Sequence, residues 1–148
     1  MALHPDFKEF LRLLNSHQVE YLLVGAHALA VHGQPRMTGD IDFFVQCNAE
    51  NATRLRAALE EFGFGSTGVT ASDLEQPGRI FMLGVLPHRI DLLTSISGVE
   101  FDQAWQRRID CVLDGVPIHV LSLEDLIANK RATGRAKDIA DLDLLGGV

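Results

Sequence analysis

Apolar residues recur along the chain in two spacings, one typical of helices and one typical of strands. An amphipathic first helix is predicted by apolar residues at positions i, i+3, i+4 and i+7, which are Phe7, Phe10, Leu11 and Leu14. Asp6, with Glu9 three residues later, resembles a capping box at the start of this helix. Composition, and glycines such as Gly33 and Gly63 that end helices, predict further helices. They cover residues 26–31, 49–62, 122–131 and 136–145.

Short apolar runs bounded by turn residues predict the strands. They cover residues 21–24, 41–45, 79–83, 89–93, 111–113 and 116–121. The last two runs flank Asp114-Gly115, which is a strong signal for a hairpin. Residues 65–78 show no clear pattern. Together the elements predict an α+β fold, with a small mixed β-sheet flanked by helices.

The length and composition of the chain indicate what kind of protein it is. Its 148 residues, with 47% apolar and 22% charged residues, predict one domain over residues 1–148 with its own core. We expect no membrane-spanning segment, because no apolar run approaches the roughly 20 residues needed to cross a bilayer. We expect no secretory signal, and Cys47 and Cys111 lie far apart in no metal-binding spacing. These features predict a cytoplasmic protein.

The charge of the chain argues against one class of partner. A formal net charge of −7 does not suit a protein that coats nucleic acid, which needs a basic surface. The basic residues are nevertheless uneven, since Lys130, Arg131, Arg135 and Lys137 fall within eight positions. This segment is either a solvated helix end or a local patch that contacts phosphates.

Two carboxylates stand close together at the start of the second predicted strand. Asp40 and Asp42 flank one apolar residue, so their side chains leave the same face of the strand, roughly 6.6 Å apart at the backbone. Like charges this close repel each other, and a fold tolerates them most easily with a cation between them. The spacing therefore predicts a cation site.

Asp91 is the natural third carboxylate, because it interrupts an otherwise apolar strand, where a lone charge is costly. Three carboxylates on neighbouring strands can hold two Mg²⁺ or Mn²⁺ ions about 3.5–4 Å apart. Upstream, Gly25 permits the close backbone approach that a phosphate-binding turn needs. A small turn beside a metal-binding carboxylate pair favours the binding of a nucleoside triphosphate.

At these residues the chain resembles a known family. The glycine-small turn Gly25-Ala26, a short helix and then Arg36, Thr38 and the Asp40/Asp42 pair are similar to the minimal nucleotidyltransferase fold. The nearer resemblance is to the small bacterial AbiE-type and antitoxin-type nucleotidyltransferases, and residues 126–142 look like their closing segment.

The resemblance implies roles for further residues. It places Lys130 and Arg135 near the triphosphate, with Asp138 and Asp141 bracing them. The remaining nucleotide-binding residues that we expect are Gly25, Ala26, His27, Arg36 and Thr38. His27 could instead cap the turn, and Arg36 could pair with the carboxylates rather than reach a phosphate.

The chain departs from the family pattern at Ala26, where glycine or serine is usual. Alanine keeps the backbone N–H donor but removes any serine hydroxyl, and it restricts the turn if its φ is positive.

The resemblance implies a metal-dependent nucleotidyltransferase that transfers a nucleoside monophosphate, with ATP as the favoured donor, to a hydroxyl acceptor. A partner protein is the expected acceptor, in a toxin–antitoxin setting. Two alternatives stay open: transfer to the 3′ end of tRNA, and a non-catalytic nucleotide- or partner-binding module on the same fold.

Overall fold

The structure is a computed structural model that describes residues 2–34, 39–85 and 87–146. The helices of this part of the chain are α1 Pro5–Ser16, α2 Gly25–Val31, α3 Ala49–Leu59, α4 Ala71–Leu74, α5 Phe101–Gln106, α6 Leu123–Thr133 and α7 Ala136–Leu145. The strands are β1 Tyr21–Val24, β2 Asp40–Val45, β3 Ile80–Leu83, β4 Arg89–Leu93, β5 Ile109–Leu113 and β6 Val116–Val120.

The strands form one six-stranded sheet in the order β3-β4-β2-β1-β6-β5. Strand β1 runs antiparallel to β2 and parallel to β6, while β2 and β4 are parallel neighbours. Two antiparallel pairs, β3 with β4 and β5 with β6, complete the edges. The predicted α+β fold with a mixed sheet flanked by helices is confirmed.

The two faces of the sheet carry different side chains because strand residues alternate between faces. On β2, Ile41, Phe43 and Val45 point into the larger core, which α1 and α3 cover with Phe10 and Leu55, among others. The opposite face holds a smaller core beneath α2, α5 and α6. The sheet's second face therefore has room for polar groups where those helices leave it uncovered.

The structure corrects the predicted start of the first helix and the predicted end of the third. The first helix is capped by His4 rather than Asp6: the His4 Nδ1 atom accepts the backbone N–H of Asp6 at 3.2 Å, and Pro5 follows the cap. The helix predicted over residues 49–62 is α-helical only to Leu59. It widens into a π-helical turn, Glu60–Phe64, in which Gly63 has a φ of 104°.

Two short helices were not predicted from the sequence. Helix α4 lies in the segment that showed no pattern, and a Thr70/Asp73 capping box starts it. Helix α5 buries Phe101 and Ala104 on the smaller core. Their four and six residues are too short for a helical apolar repeat to be recognised. Among the described residues, no helix has the length and apolar character that a bilayer crossing requires.

Candidate active site

The three predicted carboxylates lie together on the second face of the sheet. Asp42 of β2 is directly opposite Asp91 of the parallel strand β4, and Asp40 lies two residues earlier on the same face. One oxygen from each carboxylate can be chosen so that all three lie within 4.8 Å of one another. Carboxylate oxygens are the ligands that Mg²⁺ and Mn²⁺ prefer, so the residues fit a divalent cation.

Gly25 is the residue that lets the Asp42 carboxyl take this position. It joins β1 to α2 with a φ of +69°, and a Cβ atom built on it would collide with the Asp42 Oδ2 atom. The junction therefore needs glycine both for its backbone conformation and for space. The positive φ falls on Gly25, the first residue of α2, and not on Ala26, so alanine at position 26 imposes no strain on the turn.

Burial, together with the negative charges of Asp40 and Asp91, raises the pKa of Asp42 to about 7. A carboxyl group with a neutral-range pKa is destabilised as an anion by its surroundings. A bound cation would relieve that penalty, because it stabilises the ionised form of all three carboxylates.

Arg89 lies among the carboxylates and was not predicted as a site residue. It begins β4, opposite Asp40 in the register, and its side chain shares a face with Asp91. Its Nε atom donates to Asp91 Oδ1 at 2.7 Å, and its Nη2 atom donates to Asp91 Oδ2 at 3.0 Å and to Asp40 Oδ2 at 3.3 Å. An arginine two residues before a buried strand aspartate was the available sequence signal, since both side chains must share a face.

The carboxylates line a cavity of about 750 Å³ between the sheet and the C-terminal helices. The wall beside Asp42 is the junction formed by Gly25 and Ala26. Ile80, Leu93 and Ile96 supply apolar surface. Lys130 and Arg135, from α6 and the start of α7, line the same cavity. The structure thus brings the predicted acidic and basic residues together around one space large enough for a small organic ligand.

Residues 3–144 match the family described as nucleotidyltransferase of unknown function (DUF6036). The chain belongs to this family. The match does not distinguish AbiE-type from antitoxin-type nucleotidyltransferases, so that nearer resemblance stays a prediction. No curated protein matches the chain significantly.

Solved structures support the nucleotidyltransferase fold. The crystal structure of a candidate nucleotidyltransferase from Thermotoga maritima is similar, with a TM-score of 0.65 and 18% identity over 96% of this chain and 93% of that one. An antigenic nucleotidyltransferase-like protein from Paracoccidioides brasiliensis has a TM-score of 0.53 and 15% identity over 95% of this chain and 72% of that one. At these identities the likeness shows the fold alone.

In this member of the family, Lys130 is buried and held by two aspartates of α7. Its Nζ atom lies 2.9 Å from Asp141 Oδ2 and 3.3 Å from Asp138 Oδ1. Arg135 and Thr133 also donate to Asp138, at 2.6 Å and 2.7 Å. The bracing of Lys130 and Arg135 by these aspartates, expected from the resemblance, is present in the contacts.

Asp138 is an ionised buried group. Burial would raise the pKa of its carboxyl, but the hydrogen bonds from Arg135, Thr133 and Lys130 outweigh that effect and hold the pKa well below its usual range. A carboxylate with three cationic or hydroxyl donors is thus a structural anchor between α6 and α7.

The other predicted nucleotide contacts lie outside the cavity or outside the described residues. His27 is buried, with its ring edge-on to Phe7 at 5.8 Å between centroids, and is not among the described residues that line the cavity. Burial lowers the pKa of His27, although the charge of Asp40 acts in the opposite direction. Arg36 and Thr38 lie outside the described residues. All three nucleotide contacts remain predictions.

Proposed function

We propose that this chain is a metal-dependent nucleotidyltransferase that moves a nucleoside monophosphate, AMP from ATP, to a hydroxyl group on a partner protein. The supporting observation is the cluster of Asp40, Asp42 and Asp91, whose oxygens meet within 4.8 Å on one side of a cavity that Lys130 and Arg135 also line. A cavity with anionic and cationic walls suits a ligand that carries both bound metal and phosphate.

Asp40, Asp42 and Asp91 would hold Mg²⁺ or Mn²⁺. The metal, when bound, would neutralise phosphate charge and lower the pKa of the acceptor hydroxyl. The burial of Asp42 supports this assignment, because an acidic cluster whose central group resists ionisation gains most from a cation.

The remaining cavity residues would hold the nucleotide. The backbone at Gly25 and Ala26 runs beside Asp42, which puts main-chain groups next to the carboxylates, where the phosphates would lie. Arg135, whose side chain is 62% exposed, can turn its guanidinium towards the triphosphate, because Lys130 and Thr133 also donate to the buried carboxylate of Asp138. Lys130 would contact the triphosphate with an N–H beyond those directed at Asp138 and Asp141. His27, Arg36 and Thr38 are proposed as further contacts from the family resemblance.

The transfer itself is a displacement at the α-phosphorus. The acceptor oxygen forms a bond to that phosphorus, the bond from the phosphorus to the oxygen bridging the β-phosphate breaks, and pyrophosphate leaves with that electron pair. The acceptor proton passes to a carboxylate of the cluster. The chain contributes mainly positioning and charge neutralisation to this reaction.

A protein acceptor is favoured over RNA by the charges around the cavity. Two of the four residues of the basic segment are paired, Lys130 with Asp138 and Asp141 and Arg135 with Asp138, and the net charge is −7. An RNA-coating surface needs unpaired positive charge. A toxin–antitoxin setting, a cytoplasmic location and a single-domain chain are part of the same proposal.

Label transfer tests the proposal. The protein is incubated with Mg²⁺ and either [α-³²P]ATP or [γ-³²P]ATP in a cell lysate, with an Asp40→Asn/Asp42→Asn variant as control. Label from the α-phosphate, and not from the γ-phosphate, should enter a protein band with wild type only. If the α-label enters an RNA band instead, the acceptor is RNA and not protein. Label from the γ-phosphate in the product would contradict nucleotidyl transfer.

A further inference from the structure

Arg89 occupies the place in the carboxylate cluster where a metal would compete with it. We propose that Arg89 is the resident counter-cation of this cluster and sets its affinity for divalent metal by competing for the oxygens of Asp91 and Asp40. This inference rests on the proposed metal-dependent function. It makes Arg89 a positioning residue rather than a catalytic one, because the contacts described for it are to the carboxylates.

The contacts of Arg89 reach two of the three carboxylates. Its Nε and Nη2 atoms form a fork on both oxygens of Asp91, at 2.7 Å and 3.0 Å. Such paired hydrogen bonds to a carboxylate are strong and directional. The fork therefore engages both oxygens through which Asp91 could coordinate a cation.

The third contact distinguishes this arrangement from an ordinary ion pair along one strand. Arg89 Nη2 also donates to Asp40 Oδ2 at 3.3 Å, and Asp40 belongs to the neighbouring strand β2. The guanidinium thus spans the same two strands whose carboxylates must converge on a cation. A divalent ion shared by Asp40 and Asp91 needs oxygens that now face the guanidinium.

The charges make the two cations mutually exclusive at close range. The guanidinium keeps its positive charge at all accessible pH values, and its pairing with Asp91 raises the pKa of Arg89 further. A divalent ion a few ångströms away would be repelled by it. The Arg89 side chain is 24% exposed, so it has a path to solvent when it gives up these oxygens.

Removing the charge of Arg89 should strengthen metal binding. We would titrate Mn²⁺ at pH 8 into wild type, Arg89→Met and Arg89→Lys, and follow free Mn²⁺ by electron paramagnetic resonance. Methionine retains much of the side-chain length without the charge, and we expect Arg89→Met to bind Mn²⁺ at least about tenfold more tightly. Lysine keeps the charge but cannot form the paired hydrogen bonds, so Arg89→Lys should bind Mn²⁺ with an affinity between those of wild type and Arg89→Met.

Arg54→Met is the matched control. Arg54 pairs with Glu50 on the surface of α3, so its replacement removes one ion-paired arginine away from the cluster. Its Mn²⁺ affinity should equal that of wild type. Circular dichroism and thermal unfolding establish that each variant is folded before titration.

The outcomes separate this inference from the proposed function. A folded Arg89→Met protein that binds Mn²⁺ as tightly as wild type, or more weakly, overturns the role of Arg89 and leaves the metal site standing. If neither wild type nor any variant binds Mn²⁺, both the role of Arg89 and the proposed metal site are overturned. If Arg89→Met does not fold, the competition is tested in the wild-type protein by the ¹⁵Nε–¹H nuclear magnetic resonance signal of Arg89. It should shift and exchange faster with solvent at saturating Mg²⁺, and an unchanged signal contradicts the competition.

Discussion

The carboxyl of Asp42 lies between two like charges on the second face of the sheet, and its pKa is raised to about 7 by burial, Asp40 and Asp91. Alternation along the strand sufficed to predict that Asp40 and Asp42 share a face, and the apolar surroundings of Asp91 indicated the third group. The pairing of Arg89 with Asp91 was open to the same argument from alternation, whereas the contact of Arg89 with Asp40 depends on the pairing of β2 with β4, across 49 residues of sequence. Residue-scale chemistry was therefore predictable where it is local.

Asp42→Asn should stabilise the metal-free protein. The folded pKa of Asp42 lies above its unfolded value of about 3.9, so the stability that this group contributes is present below that value and lost as the pH rises through about 7. With chelator present, the variant should exceed wild type by about 2 kcal/mol in free energy of unfolding at pH 8, and by less at pH 5. Urea unfolding measures this difference.

The matched control is Asp143→Asn, which changes an exposed carboxylate of α7. It should leave the free energy of unfolding nearly unchanged at both pH values. A stability gain in Asp42→Asn that is equal at pH 5 and pH 8 would contradict the raised pKa.

Among the helices and strands, the β1–α2 connection and the contact between α6 and α7 position the site. Gly25 follows β1 and begins α2 directly against the Asp42 carboxyl, and Asp138 joins α7 to Lys130 of α6. The sequence predicted most of the helices and strands from their apolar spacing. It did not predict α4 or α5, nor the widened turn after Leu59, because local patterns that short carry little periodic information.

Gly25→Ala should weaken Mn²⁺ binding as well as stability, because the new side chain affects more than the backbone conformation. The new Cβ atom would strike the Asp42 carboxyl as well as occupy a φ of +69°. We expect a loss of about 2 kcal/mol in stability and at least a tenfold weaker affinity for Mn²⁺. Thermal unfolding and Mn²⁺ titration measure the two effects.

Gly33→Ala provides the comparison, because Gly33 has a φ of +92° with no described atom within 4 Å of an added Cβ. It should cost stability through backbone strain and keep wild-type affinity for Mn²⁺. Equal Mn²⁺ affinities in the two variants would refute the claim that Gly25 makes room for Asp42.

Asp138→Ala should separate α7 from α6. The change leaves buried Lys130 with one of its two aspartates and removes the partner of Arg135, so we expect a loss of about 3 kcal/mol in the free energy of unfolding. Because the folded pKa of Asp138 is depressed, the stability that it contributes is present above about pH 4 and lost as the pH falls further. Asp143→Ala on the same helix is the control in urea unfolding, and equal losses in the two variants would rule out the anchor.

At the scale of the whole molecule, the sheet order joins strands that are distant in sequence. Strand β1 pairs with β6, placing Leu23 beside Val120, and the parallel pair β2–β4 brings Asp42 opposite Asp91. Local patterns predicted an α+β fold with a mixed sheet, but they contain no information on which distant strands pair. The apolar surroundings of Asp91 indicated its place with Asp40 and Asp42, and the family resemblance implied the place of the closing segment around Lys130.

We expect the carboxylate cluster to bind a metal-bound nucleoside triphosphate. Calorimetric titration measures this binding directly. Mg²⁺-ATP is titrated into wild type and into Asp40→Asn/Asp42→Asn, and ATP is titrated again with chelator in place of Mg²⁺. Wild type should show saturable binding that requires Mg²⁺ and is lost in the folded double variant. Binding of equal strength in the variant, or no binding of any nucleoside triphosphate by wild type, would contradict it.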